Sequence, residues 1–409
     1  MGEASAVGRR ATYGAMALLC AMNLLNYVDR FVLPAIVSSV RRDIPMDDAA
    51  QGVALTAFIW VYMLASPVFG RLGDTRSRKH LLAFGVGLWS LATAAAAFVH
   101  TYAGLVAARA AVGVGEAAYA SIAPALIGDY FPKAQRGRAM AVFYLATPVG
   151  SALGYILGGT VEHAAGWRAA FVAVGLPGLV LALLALFMVE PPRAQFDDGP
   201  HTTPALGDVL RSLRGNCEYR YAVAGTVAYT FAVGGLAQWM PTYLIRVRSV
   251  PSEVANDVFG IVTVVTGIVA TLGGAWIADR LRGRVRNANL LVSGIATLVG
   301  VPFAVLAFTL HGVRDAWVAI ALGELCFFAC TGPANTVVAD CVPGSMRTMA
   351  FAVSILATHM LGDAISPAII GAVSDRSSLQ SAVLLVPLFF GLAGVVWIFA
   401  SRVLRERAS

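Results

Sequence analysis

Four ionisable residues stand inside otherwise apolar stretches, and they are the first place to look for chemistry. Asp29 and Arg30 lie in the run 12–40, and Arg109 and Glu116 lie in the run 102–131. Arg109 and Glu116 are seven residues apart, two helical turns, so a helix puts them on one face. A charge within a membrane-spanning helix is costly and by default faces a cavity or a partner. Burial favours the neutral form of a carboxyl group, whereas a guanidinium beside it favours the carboxylate. A bound anion or a helix movement tips such a balance, which makes Asp29 and Glu116 candidates for taking up and releasing a proton. Arginine binds phosphate or carboxylate through paired hydrogen bonds that lysine does not match. Arg30 and Arg109 are therefore candidate anion contacts. Asn23, Asn26 and Arg30 fall at helical spacing, and Tyr119 lies close to Glu116 on the other helix, so Asn26 and Tyr119 join the candidates for contacting a bound molecule. The competing reading of the charges is a structural ion pair between packed helices.

The second half of the chain offers weaker candidates of the same kind: Glu324, the i, i+4 pair His359 and Asp363, and the dipeptide Gln238–Trp239. Gly234, Gly235 and Pro241 around that dipeptide point to a broken helix that gates one mouth of a cavity. Trp239 reads equally well as an interfacial anchor, and a structural role for Glu324, His359 and Asp363 stays open.

The elements that position these residues are membrane helices. The chain of 409 residues is 58% hydrophobic and only 13% charged, about half the charge of an ordinary soluble domain. Its net charge of +7 would point to nucleic acid in a soluble protein; here it belongs to membrane topology. Hydropathy predicts twelve spans, at 12–40, 50–72, 79–99, 102–131, 137–163, 167–189, 219–245, 254–279, 288–310, 315–342, 348–374 and 378–402. The first runs past signal-peptide length with no small-residue cleavage site. Of the 30 Lys and Arg, seven (Arg41, Arg42, Arg168, Arg246, Arg248, Arg314 and Arg376) fall on one side of this arrangement and two within helices. The remaining 21 lie on the side that holds both termini, which the positive-inside rule makes cytoplasmic. The expected fold is an all-α membrane protein of twelve transmembrane helices in two pseudo-symmetric six-helix halves, 1–189 and 219–409. The polar linker 190–218 joins them. Within it Thr203 and Pro204 mark a helix start, and Leu206, Val209, Leu210 and Leu213 form an apolar stripe flanked by Arg211 and Arg214, as in a short helix on the membrane surface.

The halves repeat. GRLGDTRSRK (Gly70–Lys79) aligns with AWIADRLRGR (Ala275–Arg284), GEAAYASIAPALIGDYFP with GELCFFACTGPANTVVADCVP, and RAMAVFYLAT with RTMAFAVSILAT. Glu116 thus falls on Glu324, Asp74 on Asp279 and Asp129 near Asp340. Repeats of this kind place a substrate site near the bilayer midplane, where the halves meet.

These segments resemble the major facilitator superfamily over essentially the whole chain. Gly70, Leu72, Asp74, Arg78 and Lys79 match its signature loop G-x-L-x-D-R-x-G-R-K, with Thr75 and Ser77 departing from it. The resemblance implies a conformational latch in which Asp74 meets the start of the eleventh helix and Arg78 meets Asp129; Gly70, Asp279, Arg280 and Asp340 belong to the same set. Arg109–Gly115 resembles the fourth-helix motif of proton-coupled members, with Val112 replacing glutamine. GSALGYILGG (Gly150–Gly159) resembles the exporter motif of the fifth helix, and ordinary small-residue packing explains it equally well. NYVDR (Asn26–Arg30) with VGVGEAAYASIAPALIGDYFP resembles the spinster-type transporters. That resemblance implies proton sensing by Asp29 and Glu116 and substrate contact by Arg30, in a secondary transporter for an amphipathic, lipid-like anion. The alternatives are a drug or organic-anion transporter and an uncoupled uniporter or receptor. An enzyme is not expected, since no nucleophile–base pair, metal constellation or phosphate-cradling loop stands out. Nor is a cofactor or a nucleic-acid partner expected. The expected partners are the substrate, protons and membrane lipids, for a monomer in the inner membrane.

Overall fold

A computed structural model describes residues 8–192, 206–282, 284–285, 287–341 and 347–406. The regular elements among them are helices, and no strand occurs. In chain order they are α1 (Arg9–Asp43), α2 (Asp48–Thr75), α3 (Arg78–Ala96), α4 (Tyr102–Tyr130), α5 (Lys133–Ala165) and α6 (Trp167–Leu186). Then come α7 (Leu206–Gly215), α8 (Cys217–Arg246), α9 (Ser252–Arg282), α10 (Ala288–Thr309), α11 (Val313–Phe328) and α12 (Thr331–Asp340). The last are α13 (Arg347–Thr358), α14 (Ser366–Arg376), α15 (Leu379–Ala382) and α16 (Leu385–Glu406), with a π-helical turn, His359–Asp363, between α13 and α14. Helix starts follow side-chain chemistry: Thr101 accepts from the Gly104 N–H to cap α4, and Asn216 accepts from the Tyr219 N–H to cap α8.

Ten spans among the described residues are long and apolar enough to cross a membrane. The basic start of α3, and the glycines, threonines, tyrosines and Gln238 within α8, lower their mean hydropathy and leave those two helices outside that set, although the sequence reads them as spans three and seven. Twelve spans is compatible with the whole. Large apolar side chains such as Leu64, Phe98 and Phe187 are exposed, as suits surfaces that meet lipid.

The chain divides into two compact units. One comprises residues 1–46, 53–199 and 249–260, and the other 47–52, 200–248 and 261–409. They depart from the simple halves because the first turn of α2 clusters with the second unit and the start of α9 with the first. Within the first unit α1 packs on α5 and α6, and α3 packs on α4 and α6. Within the second, α8 packs on α16, on α13 and on the π turn, while α10 packs on α11 and α16. Each pairing of the first unit therefore recurs in the second, as the sequence repeat implies.

Close helix contacts rest on glycine. A Cβ added at Gly115 of α4 would stand 2.4 Å from the Gly85 carbonyl oxygen of α3. One added at Gly150 of α5 would stand 2.5 Å from the Leu24 carbonyl oxygen of α1. The glycine run of the fifth span thus serves packing on α1.

Two expectations change. The helix carrying Gln238 and Trp239 is not broken, because α8 runs unbroken through Gly234, Gly235 and Pro241. Gly234 instead lets the π turn approach, since a Cβ there would meet that of Asp363 at 2.4 Å. The breaks fall in the tenth and eleventh spans, between α11 and α12 and at His359–Asp363. In the linker, α7 is present from Leu206, while the expected start at Thr203 and Pro204 lies outside the described residues. Its Leu213 is buried in a cluster with Tyr219 and Leu290, so α7 is docked on the second unit through that residue.

Candidate functional site

The four charges of the first unit form two crossed ion pairs. Arg30 of α1 donates from Nε to Glu116 Oε2 of α4 at 2.9 Å, and its Nη2 lies 2.8 Å from the same oxygen. Arg109 Nη1 of α4 donates to Asp29 Oδ1 of α1 at 2.9 Å. Neighbours in a helix point about 100° apart, so Asp29 turns toward α3 and α4 while Arg30 turns toward Glu116. The Thr93 hydroxyl of α3 donates to Asp29 Oδ2.

Exposure separates the members of this set. The side chains of Asp29, Arg109 and Glu116 are 1%, 1% and 0% accessible, whereas that of Arg30 keeps 17%. Aromatic rings surround the guanidinium of Arg30: Tyr27 at 5.2 Å, and Phe58 and Tyr62 at 5.4 Å. Arg109 stands 4.9 Å from the same Phe58 ring, so one aromatic ring serves both cations. Several buried polar atoms lack a hydrogen-bond partner among the described residues: Asn26 Nδ2, Arg109 Nε and Nη2, and Glu116 Oε1. Buried polar groups are normally satisfied, so this concentration of spare donors with one spare acceptor is unusual for a packed interior.

The remaining candidates are dispersed. The Tyr119 hydroxyl donates to the Leu19 carbonyl at 2.9 Å and its ring packs edge-on against Trp89. Gln238 is buried with its Oε1 unpartnered. Trp239 is buried and donates to the Pro367 carbonyl at 3.0 Å, which excludes the reading as an interfacial anchor. His359 Nδ1 lies 3.0 Å from Asp363 Oδ1 across the π turn. Glu324 is buried in α11, with the hydroxyl oxygens of Thr263 and Thr266 of α9 at 3.0 and 2.8 Å from its carboxyl oxygens.

At the signature loop, Arg78 reaches three partners. Nη1 donates to Asp129, Nε to Glu190 Oε1 at 3.1 Å, and Nη2 to the Pro191 carbonyl at 2.8 Å. Burial works to raise the pKa of Glu190, but hydrogen bonds from Arg78, Ser77 and the Lys79 N–H outweigh it and hold the group below the usual range. Gly70 has open space around it. Asp279 is exposed, and Arg280, also exposed, lies 4.5 Å over the Trp276 ring. The side chains of Asp74 and Asp340, and the start of the eleventh span that Asp74 was expected to meet, lie outside the described residues.

Sequence reasoning missed the aromatic ring set Tyr27, Phe58 and Tyr62, Thr93, and the role of Glu190. It also missed a cluster in the second unit. Asp48 is buried and takes Arg246 Nη1 on Oδ1 at 2.7 Å, with Arg246 Nη2 and the Ser374 hydroxyl on Oδ2. Asp375 accepts from the N–H groups of Asp48 and Ala49 at 2.9 and 2.8 Å, capping α2. Only helix-end acidity at Asp48 hinted at this.

Residues 19–354 match the Major Facilitator Superfamily model. Protein spinster homolog 3 of Danio rerio is 35% identical over 438 residues, spanning 99% of this chain and 88% of the relative. Protein spinster homolog 1 of Homo sapiens is 37% identical over 386 residues, 88% of this chain and 72% of the relative. Among solved structures, a bacterial homolog of the human lysosomal transporter Spinster, inward-facing and unoccupied, superposes with a TM-score of 0.88 at 20% identity. The match covers 97% of this chain and 98% of that one. The D-xylose–proton symporter superposes at 0.75 and 15% identity, over 94% and 97%.

Proposed function

Since the chain belongs to the major facilitator superfamily and is a membrane transporter related to the spinster proteins, we propose that it moves an amphipathic, lipid-like anion by alternating access, coupled to protons. The observation that carries this reading is the pair Arg30–Glu116. Arg30 is the one cation of the site with accessible surface, and an acid already occupies it. An incoming phosphate or carboxylate must take over the guanidinium from Glu116, and a Glu116 released into a buried site is stable only with a proton. Substrate binding and proton uptake are then linked, each favouring the other. The rings of Tyr27, Phe58 and Tyr62 offer apolar surface beside the charge, which suits a head group attached to a hydrocarbon tail. Asp29 and Arg109, both sealed, hold the neighbouring turns and complete the charge balance.

Glu116→Gln is expected to bind substrate and to lose the pH dependence of transport, and Arg30→Ala to lose binding at every pH. Flux of a lysophospholipid into proteoliposomes carrying a pH-sensitive dye tests both. A well-folded Glu116→Gln protein whose pH profile matches wild type would overturn the assignment. Substrate flux with no accompanying proton flux would favour an uncoupled uniporter.

The charge distribution further supports cytoplasmic termini and a cytoplasmic linker 190–218 in a bacterial inner membrane. In the proposed latch, Arg78 is anchored by Asp129 and Glu190; Gly70, Asp74, Asp279, Arg280 and Asp340 are its other proposed members. Gln238, Glu324, His359 and Asp363 are the substrate-facing candidates of the second unit, and the protein is proposed to work as a monomer.

A further inference from the structure

Glu324 sits in the second unit at the position that Glu116 holds in the first, but its surroundings differ. Among the described residues no arginine, lysine or histidine forms an ion pair with it. Its partners are hydroxyls: Thr263 Oγ1 is 3.0 Å from Oε1, and Thr266 Oγ1 is 2.8 Å from Oε2. The titratable groups near it are thiols and a phenol. Tyr229 of α8 donates its hydroxyl to the Phe327 carbonyl at 3.1 Å, and the Cys330 thiol shares that acceptor at 3.0 Å. Cys326 lies two residues along the chain. Ala304 and Phe308 of α10 and Val386 of α16 line a cavity beside Glu324, and Thr297 of α10 reaches the Cys330 thiol.

The hydrogens must be counted. A threonine hydroxyl carries one proton. Thr266 Oγ1 lies 2.8 Å from Glu324 Oε2, but also 2.7 Å from the Val262 carbonyl one turn back in α9. Both neighbours are acceptors if Glu324 is ionised, and one hydrogen serves only one of them. With a proton on Glu324 both contacts are satisfied: the acid donates to Thr266, and Thr266 donates to Val262. An ionised Glu324 would moreover be a buried charge with no counter-ion, among the least favourable arrangements in a protein interior. The small cavity beside Glu324, of about 20 Å³ and lined by apolar surface, lies between α8, α10 and α11.

We propose that Glu324 is a second proton-binding site, loaded in this structure. It differs from the Glu116 site because no arginine competes for it among the described residues. The substrate anion therefore does not set its occupancy directly, and it adds a proton to the cycle beyond the one linked to Arg30. That last clause rests on the proton-coupled reading above; the site itself does not.

The test separates the two. Infrared difference spectra of the purified full chain, between neutral and alkaline pH, should contain a protonated-carboxyl stretch that is absent from Glu324→Gln and retained in Glu116→Gln. The band should shift on transfer to D₂O and hold its intensity when K⁺ is replaced by Na⁺ at constant pH. Thr266→Val removes the acceptor for that proton and should move the band without abolishing it, which keeps the test valid if Glu324→Gln folds poorly. The absence of a Glu324-dependent band at neutral pH would overturn the proposal. So would a band that ignores D₂O, or one that Na⁺ displaces, since a displaced band would make the site a sodium site. If the band behaves as expected while transport proves uncoupled from protons, this inference stands and the coupled function falls.

Discussion

Glu116 and Glu324 fall at equivalent places in a duplicated architecture, each directly after a glycine, each buried, and each in a helix that packs on its unit's α3 or α10. The first carboxylate is met by a guanidinium and the second by two threonine hydroxyls. The lesson is that the repeat preserves helix pairing while leaving the electrostatics of each unit free to differ. One unit sets its acids against cations, and the other sets its acid against neutral hydroxyls. The helices follow the same division. α4 runs unbroken from Tyr102 to Tyr130 through Pro124, whereas its counterpart divides into α11 and α12.

The sharpest way to break this contrast is to remove a cation. Arg109→Leu leaves Asp29 buried and charged with Thr93 as its remaining partner, and a stability loss of about 3–5 kcal/mol is expected. Unfolding of the purified protein in detergent measures it. Asp29→Asn combined with Arg109→Leu should recover much of that loss, whereas simple additivity of the two changes would show that they do not act as a pair.

The two glycines give a test of packing that is smaller in size and opposite in sign between the units. Gly115→Ala drives a methyl into the Gly85 carbonyl oxygen, 2.4 Å away, and should cost about 1–3 kcal/mol. At Gly323 the nearest atoms are the Phe327 ring edge at 3.5 Å and the Ala304 nitrogen at 3.7 Å. An alanine there makes ordinary contacts and should add about 0.5–1 kcal/mol through helix propensity. Equal effects at both glycines would show that the units do not differ in packing.

The smallest effect concerns Glu190. Its depressed pKa means that the folded chain holds fewer protons there than the unfolded chain. Its contribution is complete above the ordinary glutamate range and is lost as pH falls through the depressed value. Discounted for solvent screening of a partly exposed group, it amounts to about 0.5 kcal/mol. Glu190→Gln should flatten the acid limb of the stability–pH curve; an unchanged slope would show that the hydrogen bonds to Glu190 do not shift its titration.

The all-helical membrane fold and the internal repeat were legible in the sequence because hydrophobic run length and charge placement are local properties. So was the set of charges that the structure brings together: Asp29, Arg30, Arg109 and Glu116 are conspicuous by being charged where little else is. Their crossed pairing was not legible, because it depends on how α1 and α4 are rotated about their axes. The ring set around Arg30 was hidden for a simpler reason. Tyr27, Phe58 and Tyr62 are aromatic residues in a chain rich in them, and nothing local distinguishes those that face a cation. The break in the eleventh span was misplaced onto the seventh because Gly234, Gly235 and Pro241 are the usual breakers, yet here two of them are packing surface. His359–Asp363 holds the π turn with little warning beyond a single glycine.

The cap that Asp375 places on α2 has a consequence for how the chain is made. A ribosome delivers α2 early and Asp375 more than three hundred residues later. Until then Ala50 is satisfied locally, by Asp47 at 2.7 Å, but the N–H groups of Asp48 and Ala49 have only water to bond with. Asp48 itself waits for Arg246 and Ser374. The end of α2 is therefore expected to be completed only once Ser374 and Asp375 are in place. Assembly of this protein is ordered by when partners become available, and the last helices to emerge finish one of the first.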